Sequence, residues 1–539
     1  MGLRLYNTMG RTMQDFKPIK EGEVGFYGCG PTVYNYAHIG NLRAYVFLDI
    51  LGKTLTYLGY KINHVMNITD VGHLTDDADD GEDRMVKTAQ ERHQSVLEIA
   101  KFYTDVFHND IDALNIRRPN VECKATEHIP EMIELIKKLE KNGNTYFADG
   151  NLYFDTSTYA DYGKLARLNL DELKAGAGRR AVSVIDANKR NPNDFVLWFT
   201  KSKFENQAMT WDSPWGRGYP GWHVECSAMS MKYLGKHFDI HTGGIDHIPV
   251  HHTNEIAQSE SSFSKEESVN KDGSKKPWVN YWLHNEFLIL DGGKMSKSKG
   301  YFITLQTSLP EEKGYSLKDK GFEPLDYRFF LLGAHYRKQL LFSLEAMESA
   351  KAGRASLNEK VAKLILTANS NKVWEKIPAL DIKVLSKENF NNVFEKYFNE
   401  NLVMQSEDEK HFLNLFTESL ENDLNTPKAL AALNGEIASS SKKCSSSVLA
   451  NIWKMDKVLS LDLLENGFNA LEKQNEEAKA QLETMKNDPE IAKITELILA
   501  REEAKKNKDF AKADEIRNHL SSKGIILKDT PQGTTWHRA

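Results

Sequence analysis

From Gly25 to about Ala257 the chain alternates short apolar runs with helix-length amphipathic stretches, and this alternation limits the fold more than any other feature. Val24–Tyr27, Tyr60–Ile68 and His237–His241 have strand length, whereas Leu42–Leu58 and Val96–Leu114 carry apolar residues at helical spacing. Strands alternating with helices predict an α/β fold built on a parallel sheet. After Glu345 the strand-like runs nearly stop. Ala350–Ala368, Glu407–Leu420, Lys428–Ile437 and Ser447–Leu459 repeat apolar residues at helical spacing, which predicts a helical bundle. Ser259–Lys276 and Leu459–Lys486 are charged and read as solvated loops or linkers. Beyond Asn507 a compact ending is expected: a helix Phe510–Leu520, Gly524 as its cap, a strand Ile525–Leu527 and a Pro-Gln-Gly turn.

A chain of 539 residues has room for roughly three or four domains, and 40% apolar residues can fill their cores. No run of about 18 apolar residues occurs, and the N-terminus lacks a signal-peptide core, so a cytoplasmic protein is expected. Four cysteines (Cys29, Cys123, Cys226, Cys444) are too few for a disulfide framework. The 70 Lys+Arg nearly balance 76 Asp+Glu, a net charge of −6, which by itself does not suggest a nucleic-acid binder. The charge is unevenly placed. Residues 1–400 carry 51 basic and 53 acidic side chains, 401–500 carry 10 and 17, and 501–539 carry 9 and 6.

Three constellations carry chemistry. Cys29-Gly-Pro-Thr-Val-Tyr-Asn-Tyr-Ala-His38-Ile-Gly40-Asn41 follows a predicted strand and opens a helix at about Leu42. Such a junction offers free backbone N–H groups and a positive dipole end to a phosphate. It matches neither the P-loop nor the dinucleotide pattern, and a plain Gly-rich turn with one incidental histidine reads the same way. Asp291-Gly-Gly-Lys294-Met-Ser-Lys297-Ser-Lys-Gly packs lysines between glycines, as suits a loop folding over a polyphosphate or, equally, a solvated basic loop. Finally, His251 and Glu255 stand at i, i+4 and, with Cys226 and Cys29, offer a Cys₂HisGlu donor set suited to zinc. Taken singly, such cysteines are commonly inert core thiols and such pairs surface contacts. His223, His241, His247 and His252 crowd the same stretch as candidate donors. Asp76–Asp83 reads as a solvated acidic turn, and Cys123 and Cys444 as thiols without a function.

Together with Asn67-Ile-Thr-Asp, Asp212-Ser-Pro-Trp-Gly-Arg-Gly-Tyr-Pro-Gly-Trp-His-Val-Glu-Cys226, Asn422-Asp-Leu-Asn-Thr-Pro and Asp529-Thr-Pro-Gln-Gly-Thr-Thr-Trp, these motifs resemble the class I aminoacyl-tRNA synthetases, and among them the family of cysteinyl-tRNA synthetases. The likeness spans nearly the whole chain. It implies a Rossmann-like parallel-sheet catalytic domain in two halves (1–115 and 211–300) around a connective insertion (116–210). A stem-contact region (301–345), a helical bundle (346–487) and a small α+β anticodon-binding unit (488–539) follow. It further implies one zinc ion on Cys29, Cys226, His251 and Glu255, and substrate contacts at Thr69 and Trp222. His38, Gly40, Asn41, Gly243, Asp246, Lys294 and Lys297 would face Mg-ATP, with His38, Asn41, Lys294 and Lys297 serving the reaction. Its substrates would be L-cysteine, ATP and cysteine tRNA, and its state a monomer in the cytoplasm.

A zinc reader suits cysteine because a pocket that fits the thiol also admits the smaller hydroxyl of serine, whereas zinc takes a thiolate readily and an alcohol poorly. The chain departs from the family pattern in three places. Asn41 replaces a second histidine; Val71-Gly-His follows Asn-Ile-Thr-Asp; and Ile248-Pro-Val-His with a long Ser259–Lys276 segment replaces the usual connection. A related ligase that passes cysteine to a sugar amine would share the zinc and phosphate motifs, but has no need of the chain after about 350. An inactive zinc- and tRNA-binding module would not need His38, Lys294 and Lys297 intact.

Overall fold

The computed structural model describes residues 2–71, 95–168, 188–201, 209–290, 293–294, 302–370, 405–440, 444–469, 489–507, 509–530 and 533–538, with single positions 473, 476, 477 and 480. The acidic turn at 76–83 lies outside them, as do Lys297, Pro531 and Gln532. The chain forms two compact units, Met1–Leu464 and Glu465–Ala539.

The first unit is organised by five parallel strands: β1 (Glu23–Gly28), β2 (Lys61–Ile68), β3 (Val121–Lys124), β4 (Phe238–Gly244) and β5 (Val279–Asn285), in the order β5-β4-β1-β2-β3. The expected α/β class is therefore observed, in a Rossmann-like strand order. That order reverses between β1 and β4. In open α/β sheets such a switch point leaves a crevice beyond the carboxyl ends of the strands. Both strands run to those ends in glycine, Gly28 on β1 and Gly243–Gly244 on β4.

Helix α1 (Ile39–Tyr57) follows β1 and begins three residues before the expected Leu42. The reason is local: His38 is its N-cap, and Asn41 three residues on completes a capping box. Buried residues run without a break from Tyr45 to Gly52. In the middle of that stretch Asp49 is fully buried and accepts from Arg328 at 2.6 Å, Lys53 at 2.8 Å and the Arg117 backbone N–H at 2.9 Å. Arg328 also donates to the carbonyls of Leu459 (2.6 Å) and Leu114 (2.8 Å). The three cationic and N–H donors win over burial, so the Asp49 carboxyl stays below its usual range. This hub binds α1 to the helical segments further along the chain.

Between β3 and helix α2 (Trp222–Leu234) lies an antiparallel sheet of four strands, Thr145–Ala148, Asn151–Phe154, Phe195–Phe199 and Tyr219–Pro220. After α2 and β4 comes helix α3 (His251–Ser261). The expected loop Ser259–Lys276 is corrected at its start, since Ser259–Ser261 is the last turn of α3. Its far end is anchored: Lys275 reaches Asp161 and Glu260. After Glu345 the described elements of this unit are all helical, Leu344–Ser370, His411–Glu421, Thr426–Ser439 and Ser446–Leu459.

The second unit contains helices Pro489–Lys506 and Phe510–Ser522 and the hairpin Ile525–Thr530/Gly533–Arg538. Its core is its own: Ile494, Ile498, Ile516, Leu520, Ile525 and Leu527. Arg501 closes it by a two-pronged contact with Asp529 at 2.8 and 3.0 Å.

The hub around Asp49 gives a stability prediction. Asp49→Ala leaves the buried guanidinium and ammonium without a counter-charge and is expected to cost about 3–5 kcal/mol. Arg328→Met, which leaves Lys53 on Asp49, is expected to cost less. Urea unfolding followed by tryptophan fluorescence checks the order; equal stability of Asp49→Ala and the parent would refute it.

Candidate active site and metal centre

A cleft of 520 Å³ opens at the switch point. Its floor is built by the turn after β1. Cys29 stands on the residue following that strand, and Gly30 packs so tightly on β2 that a Cβ there would lie 1.6 Å from the Asn67 carbonyl oxygen. The Gly30 N–H donates to the Asn67 side chain at 2.8 Å, and Asn67 in turn donates to Thr69 at 2.9 Å. Thr69, buried, donates to Glu225 of α2 at 3.3 Å. One chain of hydrogen bonds thus connects the turn, β2 and α2.

Cys226 is carried into the same place by α2, and His251 and Glu255 by one face of α3. The ligating atoms of Cys29, Cys226, His251 and Glu255 all lie within 4.8 Å of one another. Cys29 is half-buried; the other three are buried. Glu255 Oε1 is 2.8 Å from His251 Nε2 yet has no aligned hydrogen-bond donor. Its other oxygen accepts from His241 Nε2 at 2.9 Å. Behind His251, Nδ1 is 2.9 Å from Nδ1 of His223, and the Trp222 ring stacks on the imidazole at 4.2 Å.

The protonation pattern tests whether a metal fits. A hydrogen bond from Cys29, helped by His251, pulls the Cys226 thiol down to about 6 despite its burial. Burial and the neighbouring Cys226 push the Cys29 thiol up. Burial works against the imidazolium of His251, but Glu255 and Cys226 overcome it and lift the group to about 10. His251 and His241 hold the Glu255 carboxyl well below the usual carboxylate range, again against burial. Without a cation, therefore, one thiol must keep its proton and one imidazole must carry an extra one. A divalent ion that takes the place of those two protons relieves both, which is how thiolate and imidazole sites normally accept metal. The donor set fits.

A second quartet, Cys29, His241, His252 and Glu255, is equally compact. It supplies one sulfur in place of two and is the poorer match for a soft site. His252 leans on His284 at 2.8 Å, and His284 on Thr8 at 2.8 Å. Sequence reasoning does not single out His284; its place at the end of β5, next to β4, brings it here. His247 is pushed down to about 4 by burial and by His251, so it is neutral.

The other wall belongs to the start of α1. His38 Nδ1 accepts from the Asn41 N–H at 3.0 Å, and the Asn41 side chain accepts from the His38 N–H at 3.2 Å. Because Nδ1 is an acceptor, the neutral ring carries its proton on Nε2. His38, Gly40, Asn41, Thr69 and Trp222 line the cleft; Gly243 and Asp246 line it from the end of β4. A Cβ on Gly243 would lie 2.6 Å from His252 and 2.7 Å from His247, so only glycine fits beneath the imidazoles. The backbone of Lys294 pairs with Ile289 on an antiparallel ladder whose other side is Leu340–Phe342; Lys297 lies outside the described residues. Cys123 and Cys444 are buried, with thiols pushed up to about 12 by burial.

Comparison with known proteins bears on the fold and the family. Among solved structures, the chain is similar to methionyl-tRNA synthetase of Mycobacterium tuberculosis in complex with methionyl-adenylate. The TM-score is 0.50 and the identity 12%, over 83% of this chain and 92% of that one. It is also similar to the LeuRS of an Agrobacterium radiobacter K84 ternary complex, with TM-score 0.51 and 13% identity, over 85% and 86%. At such identities the likeness concerns the fold. Residues 15–352 match the family described as tRNA synthetases class I (C) catalytic domain. The switch-point cleft and this match define a class I aminoacyl-tRNA synthetase, a ligase that forms an aminoacyl-tRNA bond. Similarity also runs the full length: 54% identity to the cysteine–tRNA ligase of Treponema denticola over 538 residues, 100% of each chain, and 42% to that of Borrelia turicatae over 534 residues, 99% of each. The chain belongs to the cysteine–tRNA ligase family.

The converging donors predict that Cys226→Ser and His251→Ala each lower the metal content of the purified protein well below that of the parent, whereas Cys123→Ser and Cys444→Ser leave it unchanged. Elemental analysis after exhaustive dialysis reads all four; metal retention in Cys226→Ser would contradict the assignment.

Proposed function

We propose that this protein activates L-cysteine with ATP to cysteinyl-adenylate and transfers it to the 3′-terminal ribose of cysteine tRNA, with zinc as the reader of the thiol. The observation that carries this reading is the convergence of Cys29, Cys226, His251 and Glu255 within 4.8 Å at the inner end of the cleft whose outer wall is the start of α1. Zinc, when bound there, supplies a soft positive centre that accepts a thiolate and discriminates against an alcohol.

The chain's own residues do the rest. Trp222, stacked on His251, and Thr69, held by Asn67 and Glu225, close around the amino acid and orient its carboxylate outward. A carboxylate oxygen then attacks the α-phosphorus of Mg-ATP, and pyrophosphate leaves. No enzyme nucleophile is needed, so rate comes from positioning and from stabilising charge on the phosphates. His38 serves this through its Nε2 proton, Gly40 through the helix N-terminus, Asn41 through its side-chain NH₂, and Lys294 and Lys297 through their ammonium groups. Gly243 and Asp246 at the end of β4 face the nucleoside. In the second step the ribose hydroxyl of the tRNA attacks the acyl carbon, and AMP leaves. The helical part beyond 346 and the C-terminal unit bind the tRNA, the latter at its anticodon; recognition by shape and unstacked bases does not require a basic protein.

ATP–pyrophosphate exchange with cysteine and with serine, followed by charging of total tRNA, tests the reading. Exchange is expected with cysteine alone; equal exchange with serine would sink the zinc-reader claim. A chain ending before about Ile491 is expected to keep cysteine-dependent exchange and to charge tRNA poorly. Full charging by that chain would rule out the C-terminal unit as the anticodon reader.

A further inference from the structure

The motif Asn422-Asp-Leu-Asn-Thr-Pro has so far no role in the chemistry. Its second half is a helix start: the Asn425 side chain caps Thr426–Ser439 by accepting from the Lys428 N–H at 3.2 Å. Its first half is unusual. Asp423 and Leu424 both adopt left-handed backbone, with φ of 59° and 56°, a conformation that side chains with a Cβ resist. Two such residues in succession persist only where the surroundings over-determine them, and such positions cluster at functional sites.

What holds them is the Asp423 carboxylate, which is only 2% exposed. One oxygen accepts from the Tyr336 hydroxyl at 2.7 Å and the Tyr6 N–H at 2.8 Å; the other accepts from Arg337 Nε at 2.6 Å. Its own N–H donates to the Arg4 carbonyl at 2.9 Å. The residues it grips are neighbours of the cleft. The Tyr336 ring stacks on Phe47 of α1 at 4.4 Å, and the Tyr336 carbonyl accepts from the Glu286 N–H at 2.9 Å. Arg43, also on α1, donates to the carbonyls of Phe287 and Lys338. Phe47, Glu286 and Phe287 all line the cleft on the side of His38. Two residues after Lys338 begins the strand Leu340–Phe342, which pairs with Leu288–Leu290 and so with the ladder on which Lys294 stands.

We propose that Asp423 is a positioning residue for the nucleotide side of the cleft: by fixing Tyr336 and Arg337 it sets α1 and the 286–290 wall against each other. The inference rests on the preceding reading that ATP occupies that side. Asp423 lies in the helical part of the chain, so the same contact ties that part to the wall facing the phosphates. The cysteine side, built on β1, β4, α2 and α3, makes no contact with this carboxylate among the described residues.

The test separates the two sides. Asp423→Ala and Asp423→Asn are compared with the parent by cysteine-dependent pyrophosphate exchange, by equilibrium binding of ATP, by metal content and by melting temperature. Asparagine keeps one acceptor for the Tyr6 N–H, so it provides a folded variant if alanine does not. A misplaced wall is expected to lower kcat/KM for ATP on the order of tenfold or more, and to weaken ATP binding, with alanine worse than asparagine. KM for cysteine and metal content are expected to stay within about twofold. Tyr336→Phe, which keeps the stacking on Phe47 and loses the hydroxyl, is expected to show the same pattern in weaker form. A folded Asp423 variant with parental ATP kinetics and ATP binding, or with KM for cysteine raised as much as that for ATP, overturns the proposal. Absence of cysteine-dependent exchange in the parent would instead overturn the proposed function, and ATP binding by the variants would still read the position of the wall.

Discussion

Two thiols, one half-buried and one buried, crowd a buried carboxylate and several imidazoles at the switch point, and the protonation of each shifts that of its neighbours. In a low-dielectric pocket like charges repel strongly, and an isolated charge is costly. The chain distributes the strain: Cys226 is drawn down toward the thiolate, Cys29 is pushed up, and His251 takes a proton that burial alone would deny it. A dication held by Cys29, Cys226, His251 and Glu255 would relieve that conflict. The catalytic sheet brings these groups together: β1 ends one residue before Cys29, α2 presents Cys226, and α3 turns His251 and Glu255 onto one face. Gly243 then has to be glycine, since the imidazoles press on β4 from above.

The second constraint is mechanical. Helix α1 has its first turn in the cleft and its middle buried around Asp49, so a shift of the helix would move His38 and Asn41 together. Contacts on it from Arg328, Phe287, Lys338 and Tyr336 come from segments far apart in sequence. Several independent anchors on one helix suit the proposed reaction, which relies on placing phosphates rather than on an enzyme nucleophile and in which a misplacement of about 1 Å is costly.

The periodic signals were legible in the sequence. Apolar runs at strand length and amphipathic stretches at helix length fixed the α/β class, and the donor types with the i, i+4 spacing of His251 and Glu255 pointed to four side chains that the fold brings within 4.8 Å of one another. What periodicity could not reveal was adjacency across strands. His284 follows from nothing local; only the pairing of β5 with β4 puts it behind His252. Glu225 likewise reads as an ordinary helix residue until β2 brings Thr69 against it. The loop expected to begin at Ser259 illustrates the opposite failure, in which composition outweighed the continuing helix: Ser259 is polar, yet it is buried and bonded to Ser227 at 2.9 Å, so its polarity serves the packing of α3 on α2.

Asn41 shows how a local rule and a chemical one meet at a single position. At N3 of α1 the backbone favours a side chain that can reach back and accept from the N-cap N–H, the task glutamate or glutamine performs in a capping box. An acidic residue would perform it well and would favour the helix dipole, but it would set a negative charge where the proposed function places phosphates. A neutral amide keeps the cap without that charge. Its oxygen is committed to His38, and its NH₂ group remains a donor type compatible with a phosphate oxygen. The residue that looked like a departure from the family pattern is thus one that helix capping and anion binding can both accept.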